Sequence, residues 1–222
     1  MIYSPSTFPL LLVLLVLLAL LILLVEMRVL TYAYRKVGVN PRYAFAVMVL
    51  SLLGSHVNIP LYAVSTRAVA PPHGALMFDR TYVASGTIEP GMTVVALNLG
   101  GALIPILVSL YLLLKTRMYG RMLIGTAVVA AIVHSLAQIV PGMGIAVPML
   151  VPPLVAAGVA LLLAFRRAPP VAYVSGSMGT LIGADLLNLG QIERLGAPVI
   201  SIGGAGTFDG VFLTGILAGL LA

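Results

Sequence analysis

The chain has 222 residues, of which 61% are hydrophobic and only 8% are charged, and its mean hydropathy is +1.15. A soluble domain carries roughly 25% charged residues, so this composition excludes a soluble globular protein. The formal charge of +6 comes without any run of Lys or Arg, which argues against a nucleic-acid partner. The absence of Cys excludes a thiolate nucleophile and a cysteine-based metal site.

Continuous apolar runs, without the alternation of a membrane β-barrel, predict an all-α fold. We expect a polytopic transmembrane helical bundle that forms a single membrane domain over residues 1–222, with the lipid bilayer as its partner. The first segment, 1–31, is almost pure Leu and Val. It lacks the basic start and the cleavage site of a signal peptide, so it is interpreted as a retained, lipid-facing anchor helix.

Six further spans are predicted after this anchor, at 43–64, 92–114, 122–140, 143–165, 170–190 and 206–222. The apolar stretch between Met122 and Ala164 exceeds the ~20 residues of one span, and VPGMG at 140–144 divides it in two. Three prolines in the fifth span predict a kinked or broken helix there: Pro148, Pro152 and Pro153.

The basic residues predict an orientation. Alternate loops, beginning with the loop after the anchor, contain nine of the 12 Lys and Arg residues: Arg28, Arg35, Lys36, Arg42, Lys115, Arg117, Arg121, Arg166 and Arg167. The opposite side has only Arg67, Arg80 and Arg194. By the positive-inside rule the bundle has about seven spans, with the N-terminus outside and the C-terminus inside. We expect an integral membrane protein of a prokaryotic cytoplasmic membrane, and homo-oligomerisation stays open.

The closing hairpin, 171–222, contains one carboxylate in each apolar segment, Asp185 and Asp209, and neither segment contains a Lys or Arg to pair with it. An ionisable residue inside a membrane span is costly and is a functional-site candidate by default. With the predicted topology, the strongest polar groups of five spans fall at a similar depth, on the order of 5–12 Å below the outer surface. These groups are His56, Asn98, His134, Asp185 and Asp209. A shared polar cavity in the outer half is therefore predicted.

Two chemistries fit this set of residues. Asp185 and Asp209 could form a catalytic dyad that shares one proton and activates water. Alternatively, His56, His134, Asp185 and Asp209 could bind a divalent metal such as Zn²⁺, Mn²⁺ or Fe²⁺, each ligand coming from a separate helix. In either case, four amides are predicted to support the site from a second layer: Asn58, Asn98, Gln138 and Asn188. Gln138 is expected on one helix face with His134, four residues before it.

The segments SHVNIP, HSLAQIVPG, SGSMGTLIGADLLNL and SIGGAGTFDGVFLTGILAGLLA resemble an uncharacterised family of prokaryotic integral membrane proteins, with a domain of unknown function. That resemblance implies the membrane class and no activity.

The segment GTFDGVFLTGILAG also resembles the second catalytic segment of GxGD-type intramembrane aspartyl proteases, the presenilin and signal-peptide-peptidase group. This resemblance implies that Asp209 and Asp185 are the catalytic pair. Phe208 and Ala184 stand where that group carries glycine and tyrosine, respectively.

Two functions follow from these observations. The first is a membrane-embedded hydrolase, aspartyl or metal-dependent, that acts on a peptide or lipid near the outer face. The second is an ion- or proton-coupled transporter of a small solute, in which the carboxylates bind the cation. The spacing of small residues, Gly179 to Gly183 and Gly215 to Gly219, predicts close helix packing beside the polar groups.

Overall fold

The computed structural model describes residues 7–65, 92–140, 144–191, 199–204 and 210–222. Within these ranges the chain is mostly helical, with seven α-helices and two small sheets. Four helical stretches are long and apolar enough to cross a membrane: Leu11–Val37, Leu99–Thr116, Tyr119–Leu136 and Val151–Gln191. Two shorter helices, Arg42–Gly54 and Gly210–Leu221, are also apolar. The predicted integral membrane class is confirmed at this level.

Helix α1, Thr7–Val37, is the long Leu- and Val-rich anchor. From Leu11 to Val25 its side chains are exposed on every face, as expected of a helix surrounded by lipid. Its last turns pack into the bundle, where Ala33, Tyr34 and Val37 are fully buried. The anchor is therefore longer than the predicted range 1–31, and its C-terminal end belongs to the core.

Helix α2, Pro41–Gly54, starts at a regular N-terminal cap. The Asn40 side chain accepts a hydrogen bond from the Arg42 backbone N–H, and a proline occupies the first helical position. The helix ends at Gly54, although a continuous span over 43–64 was predicted. Pro60 has no N–H to donate and disfavours helical backbone at the residue before it. The chain instead forms strand β1, Asn58–Ser65.

Strand β2, Met92–Asn98, pairs with β1 in antiparallel fashion and with β5, Val199–Ile202, in parallel, giving the order β1-β2-β5. The predicted span 92–114 therefore begins as a strand. The Asn98 side chain then caps a short π-helix, Leu99–Leu103, by accepting a hydrogen bond from Gly101 N–H. Helix α3, Ile104–Thr116, follows directly.

Helix α4 covers Tyr119–Leu136, and α5 covers Val151–Ala164. Between them lies a short antiparallel hairpin of β3, Gln138–Val140, and β4, Gly144–Ala146. The two helices are thus separate, as the predicted division at 140–144 requires, but each is shorter than its predicted span because the hairpin occupies the connection.

Helix α6, Ala168–Thr180, lies in the centre of the bundle and packs against α3, α4, α5 and the last helix, α7, Gly210–Leu221. Every residue from Val171 to Ser177 is buried. After Thr180 the helix changes to a second π-helix, Leu181–Asp185, and then to a 3₁₀-helix, Leu186–Gln191. The span predicted over 170–190 is therefore a helix of three successive geometries, and the last change follows Asp185.

Basic side chains collect at one end of the bundle. Lys36 Nζ donates to Leu220 O at 2.7 Å, and Lys115 Nζ donates to Gly38 O at 2.6 Å. These bonds bring the ends of α1, α3 and α7 together. At the same end, a cleft lies between the α3–α4 turn and the α5–α6 turn. We call this the basic end. Asp185 lies 17 residues along the helix from Ala168, roughly 25 Å from it at 1.5 Å per residue.

Candidate functional site

Asp185 is the last residue of the second π-helix and is half-buried. Its Oδ2 accepts a hydrogen bond from the Gly203 backbone N–H at 2.6 Å. Hydrogen bonds to a carboxylate are among the strong ones because the acceptor is charged. This bond fixes the carboxylate against the turn that follows strand β5.

Gly203 is required at this position by both its backbone angle and its surroundings. Its φ is +78°, a region that L side chains rarely adopt. A Cβ at this position would lie 2.7 Å from the Cβ and N atoms of Ala102, in the first π-helix. The chain can therefore present this N–H to Asp185 only with glycine here.

Next to this contact, three polar side chains form hydrogen bonds across the three-stranded sheet. Asn58 and Asn98 are directly opposite each other in β1 and β2, and Asn98 Nδ2 donates to Asn58 Oδ1 at 3.1 Å. The Ser201 hydroxyl of β5 donates to the same Asn58 oxygen. Both asparagines are at least 94% buried. We call Asn58, Asn98, Ser201 and Asp185 the polar junction.

Asn98 makes two further bonds that join this junction to the helices. Its Nδ2 also donates to Ser55 O at 2.8 Å, and its Oδ1 accepts from Gly101 N–H at 2.8 Å. A buried amide costs free energy unless it is hydrogen-bonded, and here one side chain satisfies groups from α2, β1 and the first π-helix. Its role is structural at the least.

A small cavity lies between Asp185, Asn188 and Ser201, and its remaining walls are aliphatic. The volume open to the centre of a water-sized sphere is about 20 Å³, which is enough for roughly one water molecule. Asn188 is buried and donates to the backbone oxygens of Gly183 and Ala184, so it closes the second π-helix from inside. The arrangement places a carboxylate, an amide and a hydroxyl around space for one small polar molecule.

Both π-helices border the polar junction. The first begins directly after Asn98, and the second ends at Asp185. Single π-helical turns are rare and occur frequently at functional sites. Ala102 of the first and Leu181 of the second lie in one apolar cluster with Ile202 and Val211, which holds the two together.

Both histidines that were predicted to line a polar cavity are exposed. His56 is exposed, and its Nδ1 lies 3.2 Å from Leu52 O, within its own turn of chain. His134 is exposed near the end of α4. Gln138 was expected on the same helix face as His134, but α4 ends at Leu136 and Gln138 lies in β3, where it is exposed.

Asp209 lies outside the described residues, so the predicted dyad and the predicted set of four metal ligands stay predictions. Among the described residues, no group of three or more His, Asp or Glu side chains is arranged to hold a metal ion. The residue that follows Asp209 in sequence, Gly210, begins α7. Val211 contributes to the same apolar cluster as Leu181 and Ile202.

Sequence reasoning did not identify Ser201 or Gly203 as parts of the site. The available signal was the pair Gly203-Gly204 after the short run Val199–Ile202, in which three of four residues are β-branched; this pattern is typical of a strand followed by a tight turn. A strand interpretation of that run would have placed Ser201 on a sheet face.

The sequence profile described as "Protein of unknown function (DUF1614)" matches residues 52–221, roughly three quarters of the chain. The chain belongs to this family. The expected membership of an uncharacterised family is thereby confirmed. The DUF1614 region begins near the end of α2 and includes every residue of the polar junction, whereas α1 lies before it. No curated protein and no solved structure matches the chain.

Proposed function

We propose that the protein is a membrane-embedded hydrolase in which Asp185, together with Asp209, activates a water molecule. The observation that carries this proposal is the position of Asp185: one carboxylate oxygen is held by Gly203 N–H, and the carboxylate borders a cavity of about 20 Å³. A general base must lie within hydrogen-bond reach of the water that it deprotonates.

In this mechanism one carboxylate accepts a proton from water while the other, protonated, donates to the carbonyl oxygen of a peptide or lipid ester. The water oxygen forms a bond to the carbonyl carbon. The bond to the leaving amine or alcohol then breaks as the leaving group takes up a proton from the carboxyl group that had accepted one from water. The other carboxylate takes back a proton from a hydroxyl group of the tetrahedral intermediate, which restores the starting pair. Gly203 N–H keeps Asp185 in one orientation throughout, and Asn188 and Ser201 orient the water.

The proposed orientation and depth in the membrane follow from the positions of the basic residues and from the length of the helices. We place the basic end in the cytoplasm, with about seven spans and the N-terminus outside. Asp185 is roughly 25 Å from the start of α6 at that end, and the hydrocarbon core is about 30 Å thick. The carboxylate would then face substrates in the outer half of a prokaryotic cytoplasmic membrane.

The test is hydrolysis in ¹⁸O-labelled water by the full chain in proteoliposomes. The substrates offered are a library of apolar transmembrane peptides and, separately, a bacterial lipid extract, with products analysed by mass spectrometry. We expect ¹⁸O in a new carboxyl group, loss of at least 100-fold in rate for Asp185→Asn and for Asp209→Asn, and full activity for Glu26→Gln, an exposed acid in α1. Unlabelled products, or an active Asp185→Asn, would contradict the proposal.

The metal-dependent form of the hydrolase has a separate test. Elemental analysis of the purified protein after incubation with Zn²⁺, Mn²⁺ or Fe²⁺ should give stoichiometric metal, which His56→Ala, His134→Ala and Asp209→Asn each remove. A protein that hydrolyses substrate without bound metal instead supports the aspartyl form. Metal retained in the histidine variants would argue against these ligands.

A second candidate function, an ion- or proton-coupled carrier, is favoured by one observation. The α6 helix loses its regular geometry around Asp185, through a π-helix and a 3₁₀-helix. Carriers place ion sites at such discontinuous helices. A carrier would move protons or Na⁺ across proteoliposomes, detected with a pH- or Na⁺-sensitive dye, and Asp185→Asn would abolish that flux without any bond being hydrolysed.

A further inference from the structure

A cleft of about 730 Å³ opens at the basic end, between the α3–α4 turn and the α5–α6 turn. This volume lies within the 300–1,000 Å³ that is typical of small-molecule sites. Four exposed arginines line it: Arg117 in the α3–α4 turn, Arg121 in the first turn of α4, and Arg166 and Arg167 in the α5–α6 turn. Of the functional classes considered above, none uses this cleft.

The four guanidinium groups have no partner inside the described part of the chain, where Glu26 and Asp185 are the only acidic side chains. The lysines at the same end differ, because Lys36 and Lys115 each donate to a backbone oxygen of a neighbouring element. Four like charges around one cleft repel one another. An anion bound between them would remove this cost.

The backbone at the cleft also suits an anion. Helix α4 begins at Tyr119 in the cleft wall, its preceding residue makes no side-chain cap bond, and its first turn contains no acidic residue. Free N–H groups and the positive end of the helix dipole favour a bound phosphate at such a position. The opposing end of α3 is closed internally, since Arg117 N–H donates to Leu113 O at 3.1 Å.

Apolar side chains beside the arginines indicate a lipid rather than a free anion. Phe165 lines the cleft and is 79% exposed, Tyr119 is 51% exposed, and the nearby Leu162 is 89% exposed. On a membrane helix such residues face acyl chains, while arginine at the helix end reaches the headgroup level. Basic pockets between membrane helices are known to bind anionic headgroups.

We propose that this cleft binds the phosphate headgroup of an anionic lipid in the leaflet at the basic end. The arginines from both turns contact the phosphate oxygens as charge-assisted donors, and the acyl chains lie along Phe165 and Leu162. This inference does not depend on the hydrolase or carrier chemistry of the polar junction.

The test is titration of the purified full chain with phosphatidylglycerol in phosphatidylcholine nanodiscs, with bound lipid counted by native mass spectrometry. One double variant, Arg121→Gln with Arg166→Gln, removes one charge from each side of the cleft. The matched control, Arg35→Gln with Arg42→Gln, removes two exposed charges at the same end but outside the cleft. We expect about 30-fold weaker phosphatidylglycerol binding in the first variant and less than threefold in the control. Equal losses in both would overturn a defined site.

A further variant separates binding from folding. Arg117 has a left-handed backbone, φ 54° and ψ 28°, which glycine adopts more easily. Arg117→Gly should therefore fold at least as well as the wild type while binding phosphatidylglycerol about fivefold more weakly. Unchanged binding in this variant would count against the site.

Competition identifies the source of the phosphate. Inorganic phosphate or glycerol 3-phosphate at 10 mM should displace less than a tenth of the bound phosphatidylglycerol, because neither has acyl chains. Full displacement by either one would overturn the lipid assignment.

Discussion

Gly203 and Asp185 are 18 residues apart in the chain and are joined by one hydrogen bond, from the glycine N–H to the carboxylate Oδ2 at 2.6 Å. The bond connects the turn after a parallel edge strand to the end of a π-helix. It depends on a positive φ at Gly203 and on the absence of a side chain beside Ala102. The position of the carboxylate is thus set by a residue without a side chain.

Replacing Gly203 with Ala should lower the free energy of unfolding by about 2–4 kcal/mol, because the new Cβ collides with Ala102 and the left-handed backbone becomes strained. Thermal unfolding in detergent micelles measures this change. The matched control is Gly158→Ala in α5, where a Cβ meets nothing within 4 Å. It should stabilise the helix by up to ~1 kcal/mol. Equal midpoints for both variants would contradict the steric argument.

Replacing Asn98 with Leu should cost about 3 kcal/mol or more, since Ser55 O, Asn58 Oδ1 and Gly101 N–H all lose their bond to this side chain. Gln138→Leu is the control: an exposed amide on β3 should change the unfolding free energy by less than ~0.5 kcal/mol. Both amides were predicted to support the site from a second layer. If Gln138→Leu lowers the unfolding free energy as much as Asn98→Leu does, the buried amide is no more important for stability than the exposed one, and the prediction is wrong.

The sequence predicts in part which polar side chains lie at or beside the polar junction. Asn98 and Asp185 were predicted near one level because polar residues in apolar segments are few and the helix rise is fixed, and Asn188 was predicted as a supporting amide. The structure joins Asn98 to the polar junction and puts Asn188 beside Asp185. The histidines were assigned to the same level by the same argument, but depth along a helix does not determine which way a side chain faces, and both are exposed.

The strands could not be predicted from the hydropathy pattern. A short apolar run looks the same in a buried strand and in a membrane helix, so residues 58–64 and 92–98 were interpreted as helical. The parallel pairing of β5 with β2 joins residues about 100 positions apart, and no local pattern encodes such a contact. Only Pro60 and the glycines after Ile202 indicated that the backbone leaves the helical geometry.

Ser175→Ala in α6 should be neutral or stabilising by up to ~1 kcal/mol, which is unusual for a fully buried residue. The Ser175 hydroxyl is inaccessible and has no hydrogen-bond partner among the described residues, so its removal eliminates a desolvation cost. Ser51→Ala is the matched comparison, because Ser51 Oγ donates to Gly100 O at 2.7 Å. That variant should lose about 1–2 kcal/mol. The same loss in both variants would indicate a partner for Ser175.

Helices α4 and α6 are in close contact at a glycine of α6. Gly179 of α6 lies against Val129, and a Cβ at Gly179 would be 2.6 Å from the Cβ of Val129. The Gly179–Gly183 spacing predicted such packing, and Gly183 likewise lies against Ala130. Gly179→Ala should therefore destabilise the bundle by about 1–3 kcal/mol, since two rigid helices must move apart. Gly120→Ala, in the first turn of α4, meets nothing within 4 Å and serves as the control. In a Val129→Gly background, which lacks the Cβ that the new methyl group meets, Gly179→Ala should cost at least ~1 kcal/mol less than in the wild type; an equal cost in both backgrounds would show that the effect of the alanine lies elsewhere in α6.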